Sequence, residues 1–174
     1  MPYSIFVFNQ IAFSEIPADA LKSDLMKVSF TTLCTQYGLD HRLVAEAQEN
    51  LAVLSARSDV SPFFLVRYQT NNQKPIAVFQ HMVSSPEDGV RLEKFINNQN
   101  RHCLIGELER TCCIFRIDLE KSQLLDLGLL IGYEIARWLA FRGRGLVRDL
   151  QGAWYRINVH QAFIPLSEEY PLRF

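Results

Sequence analysis

The stretch Ser122 to Val159 reads SQLLDLGLLIGYEIARWLAFRGRGLVRDLQGAWYRINV, and its reading decides the fold. Leu124 to Phe141 is the most apolar segment of the chain, yet Asp126, Glu134 and Arg137 interrupt it. At ~2.5–3.5 kcal/mol for each charge near a bilayer centre, the segment does not read as a membrane span. It reads instead as a buried helix over about 122–142. Gly128, Gly132, Ala136 and Ala140 recur every fourth residue and draw a ridge of small side chains along that helix. Each internal glycine costs roughly 1 kcal/mol against alanine, which close packing has to offset. The ridge meets either the domain's own sheet and helices or a second copy of the chain. Arg142-Gly143-Arg144-Gly145 then stops the helix, and the hydrophobic period drops from about 3.6 to 2. Gly145–Asp149 and Ala153–Val159 are thus expected as a strand pair around the turn residues Leu150-Gln151-Gly152.

Upstream, Ile5 to Phe8 belong to a first strand with no basic region before it, so it does not read as a signal peptide. Pro17 and Asp19 open a wide-faced helix expected over about 17–37, stopped by Gly38. Asp40 caps a second helix, whose Leu43, Val44, Ala47, Leu51 and Leu54 keep helical spacing. Beyond Ser61-Pro62 the period again becomes 2, with strands expected at Phe63–Gln69 and Ile76–Val83. Ser85, Pro86 and Asp88 announce a short helix to about Asn97. His102–Leu108 and Thr111–Leu119 read as another strand pair. The expected fold is α+β: a single domain over 1–174, its antiparallel or mixed sheet built from successive strand pairs with helices mainly on one face. Within it, an N-terminal strand and helical pair fill about 1–57, strand-pair and helix units about 61–160, and an apolar tail 161–174.

The whole-chain numbers agree with this. A chain of 174 residues buries about 70% of its unfolded surface, enough for a core without metal or disulfide staples. Eighteen basic and nineteen acidic residues leave a net charge of -1, so no global field draws nucleic acid or membrane. Four cysteines without a C-x-x-C spacing fit a reducing, cytoplasmic setting. Charge is nevertheless uneven: between 130 and 156 lie five of the thirteen arginines, against Glu134 and Asp149 alone.

Three functional readings follow. The first is a non-enzymatic protein-interaction or regulatory module, homodimeric, whose interface uses Gly128, Gly132, Ala136 and Ala140 together with the apolar tail residues Phe163, Leu172 and Phe174. The second is a site for an anionic ligand or single-stranded nucleic acid, formed by Arg142, Arg144, Arg148, Arg156 and Trp154. Arginine forks grip carboxylate and phosphate, and an aromatic ring stacks on a base. The third is a small enzyme using a cysteine or the Glu107/Glu109 pair, which would share one face of a strand. No metal site or cofactor is expected. His102, Cys103, Cys112 and Cys113 do not converge, because neighbours on a strand point to opposite faces, and no phosphate or dinucleotide loop is present.

Overall fold

The computed structural model describes residues 3–55, 63–69, 74–98 and 102–166, without the side chains of His102 and Cys103. Strand β1, Tyr3–Asn9, sends Ile5 and Val7 into one hydrophobic cluster and Phe6 and Phe8 into another. A strand apolar on both faces needs cover on both, which puts it in the middle of a sheet rather than at an edge. It lies between β5, Cys113–Leu119, and β6, Leu146–Arg148, with Val7 opposite both Phe115 and Val147. The remaining strands are β2 (Ala52–Ser55), β3 (Phe64–Arg67), β4 (Ile76–Met82), β7 (Trp154–Ile157) and β8 (Phe163–Pro165). The order is β2-β3-β4-β5-β1-β6-β7-β8, and every pairing is antiparallel.

Helix α6, Leu127–Gly143, crosses over β1 and links β5 to β6. Asp126 caps it by accepting the Gly128 amide at 2.6 Å. On the same face lie α1 (Ala18–Met26), α2 (Phe30–Tyr37) and α3 (Arg42–Asn50), sharing one core with Ile5, Val7, Phe115 and Ile117. Among the described residues the opposite face carries only α4 (Pro86–Asn97) and α5 (His102–Leu108), which pack Leu92, Ile96, Leu104 and Leu108 against Phe8, Leu146 and Trp154. The fold is therefore an α+β domain, antiparallel and with helices mainly on one face, as the sequence pattern predicts. No described helix is long and apolar enough to cross a membrane.

Several elements differ from the expected ones. The single helix over 17–37 is two, broken at Lys27-Val28-Ser29; the bend brings both Leu25 and Phe30 into the core. The following helix stops at Asn50, because Leu51 turns extended (ψ 115°) and the chain pairs with β3 as a short edge strand. His102–Leu108 is helical, not a strand: Leu104 and Leu108, one turn apart, are both fully buried. Cys113–Leu119 thus pairs with β4 and β1 rather than with its expected partner. The start of the long helix is a separate 3₁₀ turn, Lys121–Leu125, and part of the tail is β8, paired with β7. The capping box at Ser85 and Asp88 and the strand pair β6–β7 lie where the sequence puts them.

Candidate functional site

On the α4 side of the sheet lies a cavity of about 350 Å³. Its floor is the sheet face that β1 presents, Phe6 and Phe8, with Ile114 from β5 beside them. Its wall is α4, which contributes Leu92 and Phe95; Phe8 and Phe95 stack with centroids 5.4 Å apart. The capping box that starts α4 also places Asp88 at the rim, where it meets His81 of β4 at 3.0 Å. The Ser85 hydroxyl, first, and the imidazole hold the Asp88 carboxyl below its usual range.

Arg148 supplies the positive end. It stands opposite Phe6 in the β1–β6 register and so points to the α4 face, with its guanidinium 5.9 Å from the Phe95 centroid. Gly152, at φ +86°, makes the following turn; a Cβ there would come within 3.1 Å of the Arg148 guanidinium. The Arg148 Nε is buried and has no hydrogen-bond partner among the described residues. Arg91 joins it at the rim. A cavity of this size, apolar inside and cationic at one end, meets the general requirements of a small-ligand site.

The other arginines do not join Arg148. Arg142 lies over the Trp138 ring at 4.5 Å and pairs with Asp24 at 3.5 Å, on the α1 side of the sheet. Arg156 pairs with Glu107 of α5, and Arg144 ends α6 in the left-handed conformation at φ 50°. Trp154 is 1% exposed, wedged against Phe8 and Phe95, so it is a wall of the core and presents no face to a base. The expected five-residue cluster is thus split by the sheet, and only Arg148 faces a cavity with an unpaired buried nitrogen.

The small-residue ridge is consumed within the chain. Gly132 faces Leu119 and Ile5, Gly128 faces Tyr68 and Gln123, and Ala136 and Ala140 are buried. That corrects its assignment to a protomer seam. Phe163 is partly buried against Tyr133 and Tyr155, while Leu172 and Phe174 lie outside the described residues. Glu107 belongs to α5 and Glu109 to the turn after it, so the two carboxylates do not share a strand face.

Cys34 and Cys113 are poor nucleophiles. Burial pushes the Cys113 thiol up to about 11 and raises Cys34 as well. Among the described residues no cysteine is hydrogen-bonded to a histidine, and no three His, Cys, Asp or Glu side chains gather to hold a metal ion. Sequence reasoning singled out Arg148 but missed Phe6, Phe8, His81, Arg91 and Phe95. The available signal was the apolar residue at every position from Ile5 to Phe8, which marks a strand whose second face needs its own cover. Against known proteins, no family model matches the chain, and no curated protein or solved structure is similar to it.

Proposed function

We propose that the protein is a non-enzymatic binding module for a small amphipathic anion, with the apolar body of the ligand between β1 and α4 and its carboxylate at Arg148. The observation that carries this reading is the buried, unpartnered Arg148 Nε at the edge of an apolar cavity. A guanidinium N–H buried without an acceptor is costly, and a bidentate carboxylate is the group that best offsets that cost. Arg91 adds a second positive charge at the same rim, and Asp88 is already engaged by Ser85 and His81. Single-stranded nucleic acid is a poorer fit, because Arg142 pairs with Asp24 on the other side of the sheet, Arg144 and Arg156 share a separate opening in which Arg156 pairs with Glu107, and Trp154 is covered.

Octanoate and octanamide have nearly the same shape and differ in charge. Trp154 lies 5.1 Å from Phe8 and 6.1 Å from Phe95, so its fluorescence in a Trp138→Phe background reports on the cavity. Octanoate is expected to bind at least ~10-fold more tightly than octanamide, and Arg148→Gln to abolish the difference, since a charged hydrogen bond contributes ~1.5–3 kcal/mol. Equal affinity for acid and amide, or an unchanged preference in Arg148→Gln, overturns the reading.

A further inference from the structure

Asp149, just past the end of β6, meets the other face of the sheet through Tyr155. Asp149 is 7% exposed and accepts hydrogen bonds from the Gln151 and Ala153 amides and from the Tyr155 hydroxyl at 3.1 Å. No cation pairs with it among the described residues. On this face, between α2, α6 and the β7–β8 hairpin, lies a second cavity of about 430 Å³. Four aromatic rings line it: Tyr37 from the end of α2, Tyr133 from α6, Tyr155 from β7 and Phe163 from β8. Phe163 stands at 90° to Tyr133 and at 85° to Tyr155, with centroids 6.0 and 5.8 Å away, so the rings meet as walls at right angles rather than as a stack.

We infer that this cavity is an aromatic cage for a trimethylammonium group. Ring faces attract a cation through their quadrupoles, and a buried carboxylate behind them adds a field of the same sign. The polar groups select among cations. Tyr155 already donates to Asp149, and Glu134, at the rim, is paired with Arg137, leaving few free acceptors for the three N–H donors of a primary ammonium. A quaternary ammonium has no such donors to satisfy. Burial foremost, and then the Asp149 charge, push the Tyr133 hydroxyl up to about 12.

The trimethylammonium could belong to a free choline-type metabolite or to a methylated lysine side chain. Calorimetric titration of the full chain with choline, with N-acetyl-trimethyllysine amide and with 3,3-dimethyl-1-butanol, the neutral isostere of choline, separates the cases. At least one cation is expected to bind ~10-fold or more tightly than the alcohol, and the tighter of the two assigns the source. Tyr155→Leu is expected to lose that preference, and Tyr155→Phe, which keeps a ring face, to retain most of it. If Tyr155→Leu fails to fold, Tyr37→Ala at the exposed lip is the second variant and is expected to weaken the cation several-fold. Binding of the alcohol as tightly as the cations, or no binding of either cation, overturns the inference. The two cavities lie on opposite faces of the sheet and share no lining residue, so this site and the anion site fail or stand separately.

Discussion

The side chain of Asn9 closes over Gly143. Its Nδ2 donates to the Leu139 carbonyl at 3.2 Å, while the Gly143 carbonyl accepts the Gln10 and Ile11 amides at 3.0 and 3.1 Å. The end of the central strand is thereby bound to the end of the long helix, and a Cβ on Gly143 would run into the Asn9 amide. Asn9 is fully buried, so its side chain has little room to withdraw.

Gly143→Ala should therefore overpack this junction and lower stability by ~1–3 kcal/mol, read from the urea unfolding midpoint. Gly89, within α4, has nothing near the position its Cβ would occupy. Gly89→Ala should raise stability by ~0.5–1 kcal/mol through helix propensity alone. Two alanine substitutions of opposite sign identify steric contact as the cause. A neutral Gly143→Ala would mean that Asn9 does not close on the helix end.

Asp126 serves two elements at once: it caps α6 through the Gly128 amide and accepts the Tyr68 hydroxyl at 2.9 Å. Tyr68 is 2% exposed, so that hydroxyl needs a partner. Asp126→Ala should cost ~1–3 kcal/mol, and Asp126→Asn, which keeps a cap oxygen, less than ~1 kcal/mol. Thermal or urea unfolding of both variants checks this. Equal losses would show that charge at the helix N-terminus matters more than the hydrogen bonds.

Much of this fold is legible locally. The Ser85-Pro86 cap, the dense apolar run of α6 and the turn at Gly152 each carry their own signal within a few residues. Short apolar runs are ambiguous: in His102–Leu108 the four-residue spacing of Leu104 and Leu108 fits one face of a helix and equally one face of a strand. Leu51 to Leu54 fail for a related reason, since helical spacing continues into residues whose pairing with β3 decides their state. The candidate site is harder still. Arg148 reaches Phe95 only because β6 pairs with β1, a partnership between segments some 140 residues apart. Nothing near either residue in sequence encodes it.

Thiol chemistry offers a further check on burial. Cys34 and Cys113 are fully buried and burial raises both thiols, whereas Cys112 is partly exposed. In the native protein at mildly alkaline pH, alkylation by iodoacetamide should label Cys112 well before Cys34 or Cys113, with sites identified by peptide mapping. Full denaturation should equalise the rates. Early labelling of Cys113 would contradict its buried place on β5, between Met82 of β4 and Asn9 of β1.

Asp24 links stability to pH. Lys27 first, then the Trp138 indole N–H at 3.0 Å and Arg142 hold its carboxyl below the ordinary value of 3.8. A folded-state pKa below the unfolded one means that the stabilisation is fully present above about pH 4 and is lost as pH falls through the folded value. Asp88 is depressed as well, so the wild type alone would show a composite acid limb. The comparison with Asp24→Asn isolates one carboxylate, because Asp88 is common to both proteins. The wild type should exceed the variant in unfolding free energy at neutral pH, and the gap should narrow below pH ~4 as Asp24 protonates. Trp138 fluorescence is a suitable probe, since the indole donates directly to the titrating group. A gap that stays constant from neutral to acid pH would mean that Asp24 acts through its shape and not through its charge.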